Sequence, residues 1–163
     1  MDKDLQQLSV QAGQLLLSAG ATVPTAESCT GGWIAKVLTD ISGSSAWFEQ
    51  GFVTYSNAAK MQMLGVKAET LSQQGAVSEA TVREMAWGAQ THAPADYAIA
   101  VSGIAGPGGG SEEKPVGTVW FGFAFPGGEL SAAQRVFSGD RDAVRRQAVR
   151  FALQTLCEHI AQK

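Results

Sequence analysis

The sequence predicts an α/β fold with a sheet covered on both faces. Three observations predict it. Strand-like and helix-like segments alternate along the chain. Residues 97–102, Tyr-Ala-Ile-Ala-Val-Ser, have almost no polar alternation, as in a strand buried on both sides. A polar, glycine-bearing turn joins a short β segment to a helix around residues 27–32.

The elements follow in order. Leu5, Leu8, Ala12, Leu15 and Leu16 form a helical stripe over 5–19, with Gly20 as its stop. Residues 21–25 are a short β candidate that Pro24 confines to an edge or an early end. Residues 33–38 read as a helix, 48–55 as a strand, and 57–64 as a short helix capped by Ser56 or Asn57. Ser78 caps a longer helix that shares Val82, Met85, Ala86 and Ala89 on one face. After the buried strand comes a glycine-rich loop, 103–110. Strands follow at 116–125 and 130–137, and Pro126-Gly127-Gly128 between them predicts a hairpin, hence a mixed sheet. Residues 140–161 form the last helix, with Val144, Ala148, Phe151, Ala152, Thr155, Leu156 and Ile160 on one side.

Composition narrows the function. The 163 residues predict one domain, 1–163, and 45% hydrophobic content excludes a disordered chain. No apolar run reaches the ~18 residues of a membrane span. The Met-Asp-Lys-Asp start lacks a secretory pattern, so a cytoplasmic protein is expected. A net charge of −3, with no basic stripe, argues against nucleic acid as a partner. Cys29 and Cys157 read as reduced thiols, with a disulfide between them as the alternative. Two Cys and two His at these spacings do not build a structural zinc site. His92 and His159 fall in helices, so a nucleophile here needs a base other than His.

Four stretches can carry chemistry. In Thr25-Ala26-Glu27-Ser28-Cys29-Thr30-Gly31-Gly32, Ser28 sits at a strand-to-helix turn whose N–H groups can hold an oxyanion or a phosphate. The same pattern also reads as a helix cap without function. It lacks the flanking glycines of a G-x-S-x-G elbow. In Tyr55-Ser56-Asn57-Ala58-Ala59-Lys60, Tyr55 and Lys60 can converge on one cleft, and a desolvated Lys60 can act as a base. As a helix residue Lys60 also reads as a solvated surface charge. Ser102-Gly103-Ile104-Ala105-Gly106-Pro107 opens a loop that is either a flexible surface segment or a wall over a ligand. Neither a dinucleotide fingerprint nor a P-loop is completed there, because Ser111 and Pro115 break the two patterns. Five of the six arginines lie between 135 and 150. Arg141 and Arg145, four apart at a helix start, suit an anion, with ion pairs to Asp140 and Asp142 as the plain alternative.

Together these stretches, with 114–119 (Lys-Pro-Val-Gly-Thr-Val) and the Gly139-Asp140-Arg141 helix start, resemble the CinA C-terminal domain family over nearly the whole chain. The resemblance implies a three-layer α/β/α sandwich with a mixed, mostly parallel sheet, and a stand-alone member without an additional N-terminal domain. It implies an amidohydrolase that converts nicotinamide mononucleotide (NMN) and water to nicotinate mononucleotide and ammonia, often as a homodimer, with no metal or cofactor. Carried onto this chain, it makes Ser28 the nucleophile, Lys60 its base, Tyr55 a supporting catalytic residue and Arg141 a substrate-site residue. Thr30, Gly31, Gly32, Ser102 and Gly103 are the expected remaining substrate contacts, with oxyanion donors around Thr30 and Gly31. A non-catalytic nucleotide-binding module of the same fold is the alternative. A metal-dependent phosphate-ester hydrolase lacks the clustered carboxylates it would need.

Overall fold

The computed structural model describes residues 2–162. The chain runs α1 (Lys3–Ala19), β1 (Thr25–Glu27), α2 (Trp33–Thr39), β2 (Gly51–Val53), α3 (Asn57–Leu64), α4 (Ala68–Gln74), α5 (Glu79–His92), β3 (Ala98–Gly103), β4 (Thr118–Ala124), β5 (Leu130–Val136) and α6 (Arg141–Ala161). The sheet order is β2-β1-β3-β4-β5. β1 pairs in parallel with β2 and β3, and β4 is antiparallel to β3 and β5. Four strands therefore point one way and β4 alone is reversed, so the sheet is mixed and mostly parallel, as expected.

Strand alternation separates two cores. Ile99 and Val101 of β3, with Val119, Phe121 and Phe123 of β4, face α1, α2 and α6. The intervening Ala98 and Ala100 face α3 and α5 with Ala26 and Phe52. The first layer is built on large side chains. The second has small ones, so α5 comes close to the sheet and to α3. A Cβ added at Gly122 would sit 2.2 Å from the Val82 carbonyl oxygen, and one at Gly88 would sit 2.0 Å from that of Leu64. Because both obstacles are backbone, Gly88→Ala is expected to destabilise the fold by about 3 kcal/mol through overpacking. Urea unfolding at neutral pH checks this, and an unchanged midpoint would contradict the close α3–α5 approach.

The element boundaries show where local chemistry differs from the sequence reading. β1 lies at 25–27, later than 21–25, because Pro24 has no N–H to give the ladder. Carbonyls of Thr22 and Pro24 still accept from Tyr97 and Ile99. β2 is confined to 51–53. α4 was not anticipated; none of its residues is fully buried, so it has no apolar stripe to read. The other ends agree with their caps: Ser56, Ser78 and Asp140 each accept a hydrogen bond from the third N–H beyond. The 126–128 hairpin is present, with Gly127 and Gly128 at positive φ. No helix among the described residues is long and apolar enough to cross a membrane.

Candidate active site

The parallel strands β1, β2 and β3 end on one side of the sheet; the loops after β1 and β2 carry Ser28 and Tyr55, and β3 ends in Ser102 and Gly103. In open α/β sheets this carboxyl edge is where ligands bind. A cleft of about 230 Å³ lies there, lined by residues that include Ser28, Cys29, Tyr55, Lys60, Ser102 and Arg141.

The turn after β1 is held from inside by Glu27. This carboxylate is 1% exposed. It accepts from the Thr30 hydroxyl at 2.6 Å and from the N–H groups of Ile34 at 2.8 Å and Ala35 at 3.0 Å. Gly32, at the start of α2, has φ 102 and no side chain to cap with, so the strand residue supplies the anion that the helix N-terminus favours. Burial pushes the Glu27 carboxyl above its usual range, and the donors aimed at it pull the other way. On the outer side of the turn, Arg145 donates from Nε to the Cys29 carbonyl at 3.0 Å and from Nη2 to that of Thr30 at 3.3 Å.

Ser28 and Lys60 meet in this cleft. Lys60 Nζ lies 3.0 Å from Ser28 Oγ, and it donates to the carbonyls of Thr54 at 3.1 Å and Tyr55 at 3.4 Å. Although it is on a helix, Lys60 is not a surface charge: it is 1% exposed, and no ion pair involves it among the described residues. Burial lowers its pKa below the ordinary lysine value. The neighbouring Cys29 thiol is driven the other way. Burial first, then the Glu27 charge, push it up to about 12, so it stays protonated at neutral pH and is a poor nucleophile. Cys29 and Cys157 are both free and buried.

Tyr55 differs from the expected arrangement. Its phenol does not reach Ser28 or Lys60; it is exposed and accepts from Arg141 Nη2 at 2.9 Å. The Tyr55 backbone carbonyl is the part that touches the pair, by the Lys60 bond above and by a long 3.5 Å bond from Ser28 Oγ. Arg141 also donates to the Gly106 carbonyl at 2.8 Å, which ties the glycine-rich loop to α6. That loop begins as a cleft wall, at Gly103 and Ala105.

Thr30, Gly31 and Gly32 shape the turn and do not line the cleft. Thr30 is fully buried against Glu27, and the Gly31 N–H closes onto the Ser28 carbonyl at 3.0 Å. Gly31 is therefore unavailable as an oxyanion donor in this geometry, which corrects that expectation. Asn57, Ala76 and Val77 also line the cleft. Asn57 was legible beside the Tyr55 step, whereas Ala76 and Val77 carry no chemical signal. The α6 arginines do not pair with Asp140 and Asp142. Arg146 and Arg150 pair with Asp2 and Asp4 across to α1, whereas Arg141 lines the cleft and Arg145 holds the turn after β1.

The sequence pattern of the CinA C-terminal domain matches residues 5–160. The chain belongs to the CinA C-terminal domain family. Among the family's proteins, it is 68% identical over 161 residues to the nicotinamide-nucleotide amidohydrolase PncC of Escherichia coli (strain K12), covering 99% of this chain and 98% of that protein. The PncC of Enterobacter agglomerans is 62% identical over 154 residues, 94% of each chain. The crystal structure of a CinA superfamily protein from Klebsiella pneumoniae 700603 superposes with a TM-score of 0.93. It is 45% identical, over 98% of this chain and 99% of that one.

Proposed function

We propose that this chain is a nicotinamide-nucleotide amidohydrolase that cleaves NMN to nicotinate mononucleotide and ammonia through a Ser28 acyl-enzyme. The observation that carries the reading is the 3.0 Å contact between a serine hydroxyl and a buried lysine amine in a cleft. A purely nucleotide-binding module has no use for such a pair. The similarity to proteins named for this activity supplies the substrate class.

Lys60 suits the role of base for a geometric reason. A neutral amine has two N–H bonds and one lone pair. The carbonyls of Thr54 and Tyr55 accept the two N–H bonds, which leaves the lone pair for the Ser28 hydroxyl. Ser28 Oγ attacks the carboxamide carbon as Lys60 takes its proton. The tetrahedral oxyanion collapses, Lys60 returns the proton to the departing nitrogen, and ammonia leaves an ester on Ser28. Water, activated by the same amine, attacks the ester and frees the carboxylate product. Each step uses only groups of this chain, the substrate and water.

Arg141 is the substrate-site cation. It exchanges neutral partners, the Gly106 carbonyl and the Tyr55 phenol, for an anionic group of the nucleotide or for the amide of the ring. Tyr55 braces Lys60 by its carbonyl and Arg141 by its phenol. Ser102 and Gly103 form the opposite wall against the ring. Residues 1–163 act as one domain, in the cytoplasm, as a homodimer. An ammonia-release assay tests the reading. NMN is expected to be cleaved and nicotinamide riboside to be cleaved at least roughly tenfold less well, the loss of one charge-assisted contact. No ammonia from either would overturn the function, and equal rates would assign Arg141 to the amide.

A further inference from the structure

We propose that Ser102 is a catalytic residue: its hydroxyl donates a hydrogen bond to the carboxamide oxygen as Ser28 attacks, and so holds the oxyanion. The proposal rests on the amidohydrolase reading above and adds a residue to that reaction.

Among the described residues, the turn after β1 has no amide to spare. Ser28 N–H bonds to the Val101 carbonyl, and Gly31 N–H to that of Ser28. Cys29 N–H is directed at its own thiol and Gly32 N–H at Glu27. Thr30 is fully buried and does not line the cleft. The negative charge that develops on the amide oxygen therefore needs a donor from another element, because a charge left unbalanced in a buried site is costly.

β3 supplies one. Glu27 pairs with Val101 in the parallel ladder, and the Ser28 N–H bond to the Val101 carbonyl brings Ser28 level with Ser102. Adjacent strands lie about 4.8 Å apart, so the two residues stand side by side. They also share a face. Ala98 and Ala100 of β3 point to the α3–α5 side, and Ser102 continues that alternation. Ser28 meets Lys60 of α3 on the same side. Both serines line the cleft.

The Ser102 side chain lacks a partner. The residue is 1% exposed, yet no hydrogen bond engages its hydroxyl among the described residues. Its cross-strand neighbour on β4 is Trp120, whose side chain has a donor and no acceptor, so the hydroxyl proton finds nothing there. The unpaired side-chain oxygens that are wholly enclosed belong to Thr25 and Thr54. Ser102 Oγ is not enclosed in that way, and the space it opens onto is the cleft. Buried hydroxyls are as a rule hydrogen-bonded. A carboxamide oxygen lying between Ser28 Oγ and Ser102 Oγ completes this one. No proton changes hands at Ser102, and Lys60 remains the base. Of the cleft's other polar side chains, Tyr55, Asn57 and Arg141 are exposed, whereas Ser102 is buried with the reacting pair, where a donor is worth most.

The test measures kcat and KM of the full chain and of Ser102→Ala across pH, with NMN and with the methyl ester of nicotinate mononucleotide. Amide and ester pass through the same kind of tetrahedral oxyanion and differ in the group that leaves. Ser102→Ala is expected to lower kcat roughly a hundredfold on both, the effect of removing one oxyanion donor, with KM within about twofold. The pH at which activity rises stays where the wild type has it, because Lys60 is untouched. A kcat within about threefold of wild type overturns the proposal. So does a raised KM with unchanged kcat, since the hydroxyl would then bind ground state and transition state alike. A loss confined to the amide would put Ser102 at the leaving nitrogen, and a shifted pH profile would put its action on Lys60; either overturns the assignment. If Ser102→Ala does not fold, Ser102→Cys, close in size and only a weak donor, decides by the same criteria. A wild-type protein that releases no ammonia withdraws the functional reading itself and this proposal with it. An active wild type with an unaffected variant withdraws Ser102 alone.

Discussion

Ser28→Ala is expected to abolish ammonia release from NMN, with turnover falling roughly 10⁴-fold or more. The size follows from what the hydroxyl does. In the proposed mechanism it forms the covalent bond that splits amide hydrolysis into two easier steps, and no neighbouring group replaces it. Cys29 is adjacent, but burial holds its thiol protonated up to about 12, and its side chain is part of the apolar core. The fold should be unaffected, because among the described residues the hydroxyl makes only the Lys60 contact and a long bond to the Tyr55 carbonyl. Intact-mass spectrometry adds a second readout: a substrate-derived adduct trapped on the wild type should be absent from the variant. Activity within tenfold of wild type, in a variant with an unchanged melting temperature, would remove Ser28 as nucleophile. Cys29→Ala, by contrast, should retain most of its activity.

Much of this site was legible in the sequence because its signals are local. Ser28 and Tyr55 each follow a segment that reads as a strand and Ser102 ends one, and parallel strands bring such positions to a common edge. Helix starts at Ser56, Ser78 and Asp140 were equally local, since a cap is a matter of one side chain and the N–H groups just beyond it. What the sequence did not reveal depends on distance. Glu27 stands in the most conspicuous motif of the chain, yet its role as an internal cap for α2 requires knowing that β1 ends with its side chain turned under the helix. Arg145 was legible with Arg141 as a pair suited to an anion, but not as the side chain that holds the carbonyls of Cys29 and Thr30. Its separation from Arg141, Arg146 and Arg150 follows from which face of α6 meets α1 and which meets the turn. Tyr55 shows the limit most clearly: the residue is in place, but its carbonyl and not its phenol meets the reactive pair, and residue type says nothing about a carbonyl. The α4 helix escaped because amphipathic periodicity reports burial, and α4 buries none of its residues completely.

Lys60→Met is expected to lower kcat roughly 10³-fold and to stabilise the fold, two effects with one origin. Removing a positioned base costs about that much in rate. The wild-type rate should rise with pH as Lys60 loses its proton, through a value below the ordinary lysine one, and the variant should lack that limb. Stability follows with a definite sign. Burial lowers the pKa of Lys60 in the folded chain, so between its folded and unfolded values the unfolded chain binds more protons. Wild-type stability therefore increases with pH across that window. Below the folded value the penalty is largest, because a protonated ammonium must then be held in a site that disfavours it. Methionine fills a similar volume without a charge, so the variant should gain stability over wild type at the acid end of the window and lose the dependence across it. Urea unfolding of both proteins at a series of pH values measures this, and a parallel pH dependence in the two would show that Lys60 does not titrate between folded and unfolded states as its burial requires. On the proposed mechanism the fold keeps at position 60 a side chain that weakens it, because an amine whose pKa burial lowers is a better base toward Ser28 Oγ than a solvated lysine.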